Sequence, residues 1–147
     1  MRVDGWIRQY ATSLSLTDAE MDSLRRPDCN EHPYINDFAF IVLERMLRGQ
    51  RFFVSGDWNT CRQYGGGRNF FDRARDAEWI RCHGEIECPT YFHRSGTSYQ
   101  LDHAFSDRIT ADSFLSAGVV DNDVVRSLSD HAPIVVDLYS PGVVLPV

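Results

Sequence analysis

The chain has 147 residues, 43% hydrophobic and 12% aromatic, enough to bury a core, which excludes a disordered polymer. Its formal charge is -6 and all 15 basic residues are arginine, which excludes a protein that coats polyanions through overall charge yet leaves room for one basic groove. The 4 cysteines lack paired Cys-x-x-Cys spacing, the start Met1-Arg2-Val3-Asp4-Gly5-Trp6 has no apolar targeting core, and no run approaches the roughly 18 to 20 apolar residues of a membrane span, so a reduced, cytoplasmic setting is expected.

In chain order, Thr17-Asp18-Ala19-Glu20 forms a capping-box pattern that predicts a short helix ending near Leu24. A polar, proline-marked stretch follows from Arg25 to Pro33. Ile35, Phe38, Ile41, Val42, Leu43, Met46 and Leu47 then recur at helical spacing, with Gly49 as the stop. Arg51 to Ser55 reads as a buried strand that Gly56 ends in a turn. Gly65-Gly66-Gly67 is read as a flexible linker, since no Gly-Lys-Ser/Thr marks it as a phosphate loop, and Phe70 to Trp79 has helical spacing. Strands are expected over Thr90 to His93 and Ser98 to Phe105, joined by a hairpin turn at Arg94-Ser95-Gly96-Thr97. A further strand passes through Val119 and Val120, Ile134 to Leu138 closes the set, and Pro141 to Val147 is a loose apolar tail. Helix and strand in alternation predict an α/β fold, a single domain over residues 1–147.

Two carboxylate-bearing turns stand beside these strands, Gly56-Asp57-Trp58-Asn59 and Ser129-Asp130-His131-Ala132-Pro133. A rigid sheet fixes functional groups placed at its strand ends. Cleaving a phosphodiester requires neutralising phosphoryl charge, activating water and stabilising the leaving oxygen, tasks that carboxylates, a hard cation, an amide donor and histidine can share. Asp57 and Asn59 supply a base or metal ligand and a neutral donor; Asp130 and His131 add a carboxylate and an imidazole, which Asp102 can orient.

These motifs, with Leu101-Asp102-His103 between them and Thr90-Tyr91-Phe92 ahead of the middle one, resemble the endonuclease/exonuclease/phosphatase superfamily over roughly Pro33 to Leu138. The resemblance implies a metal-dependent phosphoester hydrolase, with Asp57 activating or positioning the attacking water and Asn59 holding the phosphate. It implies that His131 binds a non-bridging oxygen, that Asp102 fixes His131, and that Asp57 and Asp130 lie at a magnesium or manganese ion. Trp58, Arg62 and Tyr91 are candidate substrate contacts, with Tyr64 as a further aromatic, and nucleic acid is the leading substrate. The implied fold is a four-layer α/β sandwich of the DNase I-like type.

Family members run to about 250 residues or more, and their metal-anchoring glutamate has no counterpart here, because Glu20 and Glu31 lie too close to the first motif. The chain therefore resembles the C-terminal half of such an enzyme. Low or no activity alone, and association with a missing half or with itself through an exposed sheet face, are expected. A phosphatase or phospholipase of the same fold, and a non-catalytic interaction module, stay open as alternatives. His103 is expected to be structural. A zinc site from Cys82, His83, Cys88 and His93, with Cys29 and His32, fits no usual ligand spacing. The arginines at 62, 68, 73 and 75 can face phosphate or form a solvated helix face.

Overall fold

The computed structural model describes Gln9 and residues 12–24, 35–63, 67–84 and 87–139. Tyr64, Gly65, Gly66, Cys29, Glu31, His32, the stretch from Arg25 to Pro33 and the tail from Pro141 lie outside them. The chain forms two compact units that interleave in sequence, one built from residues 1–49 and 60–77, the other from 50–59 and 78–147.

In the first unit, α1 (Asp18–Ser23) opens on the capping box: the Thr17 hydroxyl accepts from Glu20 N, and Glu20 returns a carboxylate oxygen to Thr17 N at 2.8 Å. Glu20 also takes Arg45 of α2 (Ile35–Leu47) at 2.6 Å, and the Thr17 hydrogen bonds, then Arg45, hold its carboxyl below the usual range. The apolar stripe of α2 buries Phe38 against Leu24, with Leu16, Met21, Ile41 and Val42 around them. Phe40 meets Phe70 of α3 (Gly67–Asp76) edge-on at 5.8 Å. Helix α3 starts at Gly67 and ends at Asp76, short of the expected Trp79, because Glu78 takes a left-handed φ of 59° that breaks the helical path.

The second unit holds β1 (Phe53–Asp57), β2 (Ile80–Arg81), β3 (Tyr91–Phe92), β4 (Ser98–Tyr99), β5 (Asp102–Ser106), α4 (Arg108–Ala111), β6 (Phe114–Val119), α5 (Asp123–Leu128) and β7 (Ile134–Leu138). They form a three-stranded sheet in the order β1-β5-β2 and two two-stranded sheets, β3-β4 and β6-β7, and every pairing among the described residues is antiparallel. Strand β5 is central and nearly all buried, with Ala104, Phe105 and His103 at its heart. Trp58 and Trp79 close over Phe105 at 5.8 and 6.0 Å.

Two sequence expectations change here. Strand β1 is a mostly exposed edge strand rather than a buried one, and Gly56 lies inside it, paired with His103, instead of ending it in a turn. The expected strand over Ser98 to Phe105 divides into β4 and β5. Gln100, wholly buried, turns its side chain inward there to accept from Arg81 and Cys88 N at 3.0 and 2.9 Å. The hairpin between β3 and β4 forms as expected, with Gly96 at φ 88° and His93 N donating to Thr97 O. No described helix is long and apolar enough to cross a membrane.

Candidate active site

The β1–β5 ladder ends on the pair Asp57 and Asp102. Directly opposed residues of an antiparallel pair project to one face with Cβ atoms about 4.5–5.5 Å apart, so the register alone sets these carboxylates side by side. One further bond, Trp58 N to Leu101 O at 2.9 Å, extends the pairing past Asp57 and fixes the first motif against the second.

Beyond Asp57 the chain reverses at Asn59, whose φ of 49° is one that asparagine adopts more readily than most side chains. Asp57 stabilises that reversal by accepting Asn59 N at 2.8 Å and Asn59 Nδ2 at 3.3 Å. Both side chains are exposed. Each Asp57 oxygen keeps a second lone pair for another donor or a cation.

Asp102 is fixed from below by Thr90. That hydroxyl is fully buried and accepts from Leu101 N at 3.1 Å and Asp102 N at 2.9 Å. Thr90 also anchors the third motif, since its carbonyl accepts from Ala132 N at 2.7 Å while Phe92 N donates to Asp130 O at 2.8 Å. An isolated antiparallel bridge pairs Tyr91 with His131. The Ser129 hydroxyl completes the turn by accepting His131 N at 3.0 Å.

These ties bring His131 Nδ1 to 2.7 Å from Asp102 Oδ2, with both side chains half-buried. Asp102 accepts at that distance, so Nδ1 carries a hydrogen and Nε2 is left to accept from, or when charged donate to, a further group. The Tyr91 ring lies 5.0 Å from the imidazole. A cleft of about 390 Å³ opens alongside, lined by Asp102, His131 and Ser55 together with the apolar Val125, Leu128, Pro133 and Ile134.

Ligand atoms of Asp57, Asp102 and His131 lie within 4.8 Å of one another, the only such cluster of acidic, histidine or cysteine groups among the described residues. Two carboxylates are the donors a hard cation such as magnesium or manganese prefers. With one Asp102 oxygen committed to His131, Asp57 is the main carboxylate free to meet a cation. Asp130, expected at the metal, is not part of this cluster; its carbonyl accepts from Phe92 N and its side chain is exposed.

Two of the expected substrate contacts make other contacts within their own units. The Trp58 ring is 8% exposed, donates from Nε1 to His103 O at 3.2 Å and meets Phe105 edge-on, so it serves the core and offers little face for stacking. Arg62 belongs to the first unit, where its guanidinium lies 5.5 Å from the Phe71 ring centre. Arg73 there lies 3.8 Å from the buried Asp37, and Arg75 pairs with Asp72 and Asp76 on an exposed helix face. His103 is wholly buried, as core. Cys61, Cys82 and Cys88 are free thiols, and Cys82, His83, Cys88 and His93 do not converge on a zinc-like cluster. Sequence reasoning missed the positioning role of Thr90 and Gln100; their signal, polar side chains inside apolar strand patterns, is shared with many solvent-facing residues.

No protein-family model matches the chain, and no curated protein matches it. Among solved structures it is similar to a 3'-5' exonuclease from Neisseria meningitidis, with a TM-score of 0.54 and 18% identity over 71% of this chain and 50% of that one. The chain thus spans about half the length of that exonuclease. At this identity the likeness establishes the fold alone, a mixed α/β architecture.

Proposed function

We propose that Asp57, Asn59, Asp102 and His131 form one side of a metal-dependent phosphoester-hydrolase site of the nuclease type. The observation that carries the reading is the Asp57–Asp102–His131 cluster, within 4.8 Å and tied by the 2.7 Å Asp102–His131 bond, on a fold shared with an exonuclease. A magnesium or manganese ion held by Asp57, with Asp102 beside it, would neutralise phosphoryl charge and acidify water.

The side chains do the rest. Asp102 holds His131 in one orientation through its Nδ1, so that a hydrogen on Nε2 can donate to a non-bridging phosphoryl oxygen. Asp57 accepts a proton from the attacking water or orients it, and Asn59, steadied by Asp57, supplies a neutral amide to the phosphate. The apolar wall of the neighbouring cleft favours a second reading, hydrolysis of a phosphoester with an apolar substituent, such as a lipid.

Because turnover by this chain alone is expected to be low, metal binding is the first test. Manganese titrated into the labelled protein should broaden the Asn59 and His131 signals, and Asp57→Asn should abolish the effect. Magnesium- or manganese-dependent hydrolysis of bis(p-nitrophenyl) phosphate should fall at least about 100-fold in His131→Ala, the scale of general acid–base catalysis. Undisturbed signals in the wild-type chain would overturn the reading. A lipid-like phosphodiester assayed beside oligonucleotide separates the two substrates.

A further inference from the structure

The hairpin after Tyr91 carries a second oriented imidazole that the chemistry above does not use. Ser95 N donates to His93 Nδ1 at 3.1 Å, and the Ser95 hydroxyl lies 2.7 Å from the same nitrogen and 3.2 Å from Thr97 Oγ1. A nitrogen that accepts a backbone N–H bears no hydrogen, so the neutral His93 ring carries its proton on Nε2. That exposed ring presents a donor with no need of positive charge.

Tyr91 and His93 stand two residues apart along one strand direction and so share a face, their ring centres 6.1 Å apart. Across the bridge from Tyr91 stands His131, at 5.0 Å. The tyrosine ring therefore has one imidazole beside it across the strand and another along it, both with Nδ1 occupied by protein groups. Arg94, also exposed, follows on the turn.

An aromatic face between two hydrogen-bond donors is the chemistry that meets a base and its flanking phosphates. A base already stacked inside a duplex cannot reach such a ring, and a lone phosphate occupies only one donor. We propose that the site takes single-stranded nucleic acid of at least two nucleotides, with Tyr91 stacked on a base and His93 Nε2 donating to the phosphate next to the one at His131. The proposal rests on the phosphoester reading of Asp102 and His131. It adds the substrate class and a residue that binds at one remove from the reacting bond.

The test is fluorescence anisotropy of labelled oligothymidylate and labelled thymidine monophosphate with the whole chain. His93→Ala should weaken oligothymidylate about tenfold, the loss of one hydrogen bond to a charged group, and leave the mononucleotide unchanged. His93→Gln, which restores an N–H donor at similar reach, should recover most of the affinity. Oligothymidylate bound equally by wild type and His93→Ala, equal weakness in the alanine and glutamine variants, or no binding by wild type would each overturn the proposal. His131→Ala separates the two levels. If it weakens both ligands while His93→Ala weakens neither, the role of His93 fails and the phosphoester reading stands; if it weakens neither, that reading fails too.

Discussion

Replacing Thr90 with valine should damage both stability and the candidate site, although Thr90 touches no substrate. Its hydroxyl accepts two backbone N–H groups, from Leu101 and Asp102, in a position with no exposure. Valine fills the same volume and leaves both donors facing a methyl group. Leu101 is 3% exposed, so its N–H bears most of a desolvation penalty of about 1–3 kcal/mol. The half-buried Asp102 contributes a smaller loss, and about 2–4 kcal/mol in all is the expected cost. Such a loss is a large share of the stability of an ordinary domain, about 5–15 kcal/mol. Urea unfolding followed by tryptophan fluorescence measures it as a lower midpoint at unchanged slope. Thr90→Ser keeps the acceptor and loses only a methyl, so it should cost about 1 kcal/mol. The same substitution should loosen Asp102 and with it the His131 imidazole, seen as a shift of the His131 ring signals in valine but not in serine. A valine variant within about 0.5 kcal/mol of wild type would refute the reasoning, since it would mean that water or another group satisfies those donors.

Asp107 caps α4 and also accepts Phe52 N at 2.6 Å; burial raises its carboxyl, but hydrogen bonds from the Thr110 hydroxyl and from Phe52, Thr110 and Ile109 N outweigh that and bring it down to about 2. Its stabilisation is present above the ordinary value of 3.8 and fades as pH falls towards 2, so Asp107→Asn should shrink the drop in urea midpoint across that window, and Asp107→Ala should cost about 1 kcal/mol at neutral pH. Trp58→Phe removes the bond to His103 O and should lower stability by about 1 kcal/mol while leaving oligonucleotide affinity within about twofold; a large affinity loss would restore Trp58 as a substrate contact. Burial pushes the Cys82 thiol up to about 12, so alkylation at pH 8 followed by mass spectrometry should find Cys82 protected until the chain unfolds. Leu115, Val124 and Leu128 are 69%, 68% and 81% exposed, and sedimentation should show concentration-dependent association that Leu115→Lys with Leu128→Lys reduces.

The elements that could be read in the sequence were those whose signal is local. The Thr17–Glu20 box, the apolar spacing of α2 and the Gly96 turn each depend on residues a few positions apart, and each forms as the pattern implied. Among what escaped were the exposure of β1 and the split between β4 and β5. Whether Arg51 to Ser55 is central or at an edge depends on which strands flank it, a long-range fact absent from its own composition. The break at Gln100 arises from Arg81 and Cys88 N, 19 and 12 positions away, which give a buried glutamine its hydrogen bonds. The short helices α4 and α5 have their signal in the caps Asp107 and Asn122, and six residues or fewer leave no periodicity to count.

The candidate site divides along the same line. Asp57, Asp102 and His131, singled out from motifs that together resemble one family, do come together in space. Their assembly depends on register, which the motifs do not encode. A shift of one residue in β1 against β5 would turn Asp57 to the other face and leave Asp102 and His131 without the second carboxylate. The pairing is held on one side by the aromatic packing of Trp58 on Phe105 and on the other by Asp107 reaching back to Phe52 N. These two contacts bracket β1, one just past its last residue and one just before its first. The opposed carboxylates of Asp57 and Asp102 are therefore kept in register by a buried tryptophan that looked like a substrate contact and by a helix cap that belongs to no motif.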